Sequence, residues 1–211
     1  MRPVALAAGL AALLAAWVWP LPQLGGHLFT GHMAGHMTVV AVAAPLLAVA
    51  LAGSRRDPLC RLPVLASPVA ASLLEFVVVW SWHAPALHDA ARALLAVRVA
   101  EQVSFLAVAT LLWLSSVGGN GRAGDAAGVL GLLLTSMHMT LLGGLIALAP
   151  RQLYAHAGGS GLLAPLEDQQ LGGTLMLTVG GAVYLAGGLF LLARLLREDG
   201  RIDWRQDANR H

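Results

Sequence analysis

Apolar residues run through the 211-residue chain in six long blocks, with few polar positions inside them. The blocks are approximately Val4–Leu21, Leu28–Ala52, Val64–Trp82, Ala93–Val117, Ala126–Ala149 and Leu171–Ala193. A bilayer core of about 30 Å is crossed by about 20 apolar residues in a helix, and each block comes close to that. Hydrocarbon offers no water to bond backbone polar groups, so such blocks must satisfy them internally as helices. The pattern predicts an all-α polytopic membrane bundle of about six transmembrane helices, forming one integral membrane domain over residues 1–211. The first block has about the length of a signal peptide, but the "WPLPQLGGH" at its end lacks a clear small-residue cleavage pattern. It is read as a retained, anchor-like span over residues 4–21, and residues 194–211 as a short basic tail.

Composition agrees with a lipid solvent. Hydrophobic residues make up 57% and charged residues 11% of the chain, with a mean hydropathy of +0.71, whereas soluble domains carry roughly 25% charged residues. All 13 basic residues are Arg, and the net charge is only +2, which argues for an orientation signal and against a nucleic-acid surface. Arg2, Arg55, Arg56, Arg61, Arg122, Arg194, Arg197, Arg201, Arg205 and Arg210 fall on one side of the expected bundle. Arg92, Arg98 and Arg151 fall on the other. The positive-inside rule then makes the Arg-rich side cytoplasmic, with both termini inside a bacterial plasma membrane. The single cysteine, Cys60, excludes an internal disulfide or a paired-cysteine metal clip.

That topology gathers histidines on the outer side. His27, His32, His36, His83, His88 and His156 all lie near outer helix ends or in outer connections, while His138 is deep and His211 is in the tail. The stretch "FTGHMAGHM", residues 29–37, places His32, Met33, His36 and Met37 on one broad helical face. Histidines at i and i+4 project two imidazoles from adjacent turns, and soft thioether sulfur suits Cu(I) better than a hard cation. Read this way the stretch is a copper site; read the other way it is hydrogen-bonded interfacial packing with ordinary methionines. "WSWHAP", residues 80–85, ends the third span with His83 at the same level, as a third ligand or as a helix cap. "TSMHMT" places His138 mid-span, where polar residues face the bundle interior and often mark function.

Two carboxylates lie at membrane depth, Glu75 in the third span and Glu101 in the fourth, with Arg98 one turn above Glu101. A charge at mid-bilayer costs at least about 2.5 kcal/mol, so these groups are expected to be paired or protonated. An ion pair of Arg98 with Glu101 or Glu75 is one arrangement, and Glu75 as a proton or metal group is the other. In "PLEDQQLGG", residues 165–173, Asp168 is expected to cap its own helix or orient an imidazole, and Gln169 and Gln170 to bond across the outer mouth. Gly172 and Gly173 permit close helix approach.

Taken together, "HMAGHM" with the following "AAPLLAVA", then "WHAP", then "EDQQLGG" resemble the CtaG family of assembly factors for the caa3-type cytochrome c oxidase. The resemblance covers about His32 to Gly173, most of the chain, and rests on the order and placement of motifs that are each weak alone. It implies an accessory membrane protein rather than an enzyme, working with cytochrome c oxidase subunits, with copper delivery as its suspected role. His32 and His36 match the family's paired histidines, His83 its W-H-x-P histidine, and Asp168 and Gln169 its D-Q pair. The expected mechanism is capture of Cu(I) from an outer copper donor protein by two or three of these histidines, helped by Met33 or Met37. His138 with Met137 is a second, deeper station. A haem-binding cytochrome using His36 and His138 as axial ligands, and a copper transport or resistance protein, are the rival classes.

Overall fold

The computed structural model describes residues 2–22, 28–60, 66–119, 121–154 and 163–208, with side chains through Arg197 apart from Cys60. His27, His156 and His211 lie outside the described residues, as do Arg61 and Arg210. Every regular element among the described residues is helical. The helices are α1 (Pro3–Trp17), α2 (Phe29–Leu51), α3 (Pro68–Trp82), α4 (Pro85–Ala93), α5 (Leu95–Val117), α6 (Gly121–Ala147) and α7, which runs from Pro165 to Ala208. Four have the length and apolarity of membrane spans: α2, α5, α6 and the Pro165–Arg197 part of α7. A fifth arises if α3 and α4, bent by 71° at their junction, count as one broken span.

The sixth expected span is shorter than its apolar block. Helix α1 has 15 residues, about 22 Å at 1.5 Å per residue, less than a bilayer core. Pro20 explains its early end, because a residue before proline is pushed out of the helical region. Proline also shapes the break between α3 and α4, where Ala84 is extended ahead of Pro85.

Two helices widen locally. Helix α2 contains a π-helical stretch, Thr38–Ala43, just before Pro45, whose ring nitrogen has no N–H to continue the regular ladder. Helix α7 has a second π-helical stretch at Met176–Gly180. Helices α6 and α7 pack at backbone distance here: a Cβ on Gly173 would lie 2.5 Å from the Ala147 nitrogen, and one on Gly143 2.6 Å from the Leu177 nitrogen.

Apolar side chains such as Leu73, Val77, Val103, Leu145 and Phe190 are exposed on the outside of the bundle, while Glu75, Glu101, Ser116 and Thr135 are buried within it. This distribution suits a lipid solvent and a polar interior. Alternation of helix direction brings Arg55, Arg56, Arg122, Arg194 and Arg197 to one end and the histidines of α2, α3 and α4 to the other. At the arginine end Arg194 makes a paired contact with the buried Asp125, its Nε donating to Oδ2 at 2.8 Å.

Candidate functional site

The histidine end is assembled by carboxamide, carboxylate and aromatic contacts between distant parts of the chain. Asp168, in the first turn of α7, does not cap its own helix. Its carboxylate accepts from the Phe29 N–H at 2.6 Å and the Thr30 N–H at 3.1 Å, so it caps the start of α2 instead. The Thr30 hydroxyl donates to the Asp168 carbonyl, closing the junction. Both Asp168 oxygens are thus engaged by α2 backbone, and the expectation that it caps its own helix is corrected: Glu167 takes that place, accepting from the Ala164 N–H. Gln169 accepts from the Leu153 N–H at 2.7 Å and Gln170 donates to the Ala149 carbonyl, so both amides bond across this end as the sequence suggested.

Within that frame the histidines form two layers. In the upper one His32 of α2 meets His88 of α4 edge to face, with ring centroids 4.9 Å apart. Glu101 of α5 completes the group, its Oε1 lying 3.6 Å from His32 Nε2. One ligand atom from each of His32, His88 and Glu101 lies within 4.8 Å of the other two. Phe29 and Tyr154, stacked 4.6 Å apart, cover the group, with Tyr154 4.4 Å from His88.

One turn deeper, His36 faces His83 with ring centroids 5.4 Å apart and rests on Phe105 at 4.1 Å. His83 Nδ1 lies 2.7 Å from the Val79 carbonyl and must donate to it, which leaves the lone pair on Nε2. That Nε2 has no hydrogen-bond partner among the described residues, and neither ring nitrogen of the fully buried His36 has one. Tyr154 braces the layer by donating its hydroxyl to the His83 carbonyl at 3.0 Å. Burial, reinforced by the nearby Asp89 carboxylate, holds the Tyr154 phenol above its ordinary pKa, so it stays a donor.

The other sequence candidates are placed elsewhere. Met33 packs against Gly172 and Met37 against Gly180, both on α7, so these thioethers are turned towards the last helix. His138 of α6 packs on Phe76, and neither of its nitrogens has a hydrogen-bond partner among the described residues. Met137 beside it is 66% exposed, which turns it outward and away from any inner station with His138. His36 and His138, the axial pair of the haem alternative, rest on different aromatic neighbours. Arg98 is exposed, and the expected ion pair with Glu101 or Glu75 is absent among the described contacts: Glu101 approaches His32, and Glu75 accepts from the Tyr184 hydroxyl at 2.6 Å.

His88, Tyr154, Gln102 and Tyr184 escaped the sequence reading as site residues. His88 had a signal, since it follows His83 and the Pro85 break within a helix of nine residues. The bend turns α4 back across the bundle end and so carries His88 over His32.

A helical membrane bundle with imidazole and carboxylate side chains, His36, His83, His88 and Glu101 among them, buried towards one end belongs to the class of multi-pass membrane proteins. Residues 1–198 match the family model of the cytochrome c oxidase caa3 assembly factor, Caa3_CtaG, and the chain belongs to that family. No curated protein and no solved structure matches it.

Proposed function

We propose that this protein serves assembly of a cytochrome c oxidase by holding Cu(I) between His36 and His83 and passing it to an oxidase subunit docked on the bundle. The observation that carries this reading is the buried pair itself. Buried polar atoms are almost always hydrogen-bonded, yet His36 lacks any described partner for either nitrogen and His83 directs an unused Nε2 lone pair into the same interior. The Nδ1 bond from His83 to a backbone carbonyl is the support that orients a metal-binding imidazole. Two neutral imidazoles suit a soft, low-coordinate monovalent ion and release it without net chemistry, in keeping with an accessory rather than catalytic role.

Delivery requires a donor on the histidine side, and the positive-inside rule applied to the arginines supports reading that side as the outer one of a bacterial plasma membrane, with both termini inside. The methionines serve this site through packing on α7 rather than as first ligands. The test is the copper content of the oxidase purified from cells carrying His36→Ala with His83→Ala. The expected result is an oxidase depleted in copper; unchanged copper content would overturn the delivery role.

A further inference from the structure

The upper layer has a different chemistry from the lower one. It offers two imidazoles and a carboxylate, a set that suits a borderline divalent ion of the Zn(II), Co(II) or Cu(II) class better than soft Cu(I). The side chains are pre-placed. His32 and Glu101 are 6% and 1% exposed, and the 3.6 Å between Nε2 and Oε1 is longer than a hydrogen bond between them.

A relay of polar contacts aims the carboxylate. Trp17 of α1 donates its indole N–H to Gln102 Oε1 at 3.0 Å. That fixes the amide orientation, and Gln102 Nε2 then donates to Glu101 Oε2 at 3.2 Å. Among the described residues Oε1 has no hydrogen-bond partner, and it points to His32. Such outer contacts are what orient ligands at metal sites. Phe29 and Tyr154 wall the group from above.

Charge agrees with a divalent guest. Arg92 acts electrostatically on His32, Glu101 and Asp168, and Asp89 acts on Tyr154. The carboxylates Glu101, Asp168 and Asp89 therefore outnumber Arg92 and Arg98, the latter also acting on Glu101, around this layer.

We propose that His32, His88 and Glu101 form a divalent-metal site of their own, one helical turn above the His36–His83 pair and independent of it. His32 and His36 are four residues apart on α2, about 6 Å along the axis, so the two stations lie in series. Three protein ligands leave an open coordination position, the arrangement that permits exchange rather than permanent storage.

The test is titration of the detergent-purified full chain with Co(II), read by its visible d–d bands, alongside anaerobic Cu(I) loading. The native chain is expected to take one Co(II). Glu101→Gln, which keeps the side-chain shape, and His88→Ala are each expected to weaken Co(II) by at least about 10–100-fold, the range seen even for loss of an outer contact. Neither is expected to change Cu(I) uptake. A measurement needing no variant accompanies them: Cu(I) added to the Co(II)-loaded native chain should leave the d–d bands in place. Absence of Co(II) binding by the native chain, retention of full affinity by Glu101→Gln, or displacement of Co(II) by one equivalent of Cu(I) would each overturn the proposal. Co(II) binding without any Cu(I) binding would uphold it and remove the copper reading of the lower pair, so the two fail separately.

Discussion

Gln102 has no hydrogen bond to either imidazole among the described residues, yet it decides which oxygen of Glu101 faces them. Replacing it with Leu is expected to lower Co(II) affinity by about 10–100-fold while leaving Cu(I) uptake unchanged, because the ligands stay and only their aim is lost. Tyr154 makes a complementary case. Its phenol is buried and its pKa held above the ordinary tyrosine value of about 10, so its bond to the His83 carbonyl persists through alkaline conditions. Phenolate absorbance near pH ~10 should therefore be the same in the native chain and in Tyr154→Phe; a phenolate signal lost in the variant would show that Tyr154 titrates normally. At Tyr184, removal of the hydroxyl in Tyr184→Phe strips the buried Glu75 of its described hydrogen-bond donor. The expected cost is about 1–3 kcal/mol, read as a lower melting temperature in detergent.

At the scale of elements, the start of α2 depends on α7. Asp168 satisfies two backbone N–H groups that begin α2, so Asp168→Ala should destabilise the bundle by about 0.5–2 kcal/mol, the usual range for loss of a helix cap. The effect should reach His32 as well, because it follows the capped residues by less than a turn. Helices α6 and α7 meet through Gly143 and Gly173, where a side chain of any size strikes backbone rather than a movable side chain. Gly173→Leu is expected to force them apart and cost about 1–3 kcal/mol or more, seen as loss of folded protein on size-exclusion chromatography. The bend between α3 and α4 has the opposite character: proline ends one helix and begins the next, and the turn places His83 and His88 in successive layers.

For the whole molecule, the arginine and histidine ends supply a direct test of orientation. In a Cys60→Ser background, Arg151→Cys should react with a membrane-impermeant maleimide in intact cells, and Arg55→Cys only after lysis; the reverse pattern would invert the topology. Long apolar blocks determined the helices, because hydrocarbon leaves the backbone no other way to satisfy its polar groups. The same blocks, with the placement of Pro and Arg, also determined which helix ends lie together, so the gathering of His32, His36, His83 and His88 at one end was legible in the chain. Family membership was legible too, from short motifs in a fixed order. Sequence spacing did not determine who faces whom within that end. The i and i+4 spacing of His32 and His36 suggested one shared site, but one turn of rise separates them, and each finds its partner on a different helix. Asp168 capping α2 from α7, Gln102 aiming Glu101 and Tyr184 holding Glu75 all join residues distant in sequence. Such pairings follow from how helices cross and rotate against one another, and only the packed bundle decides that.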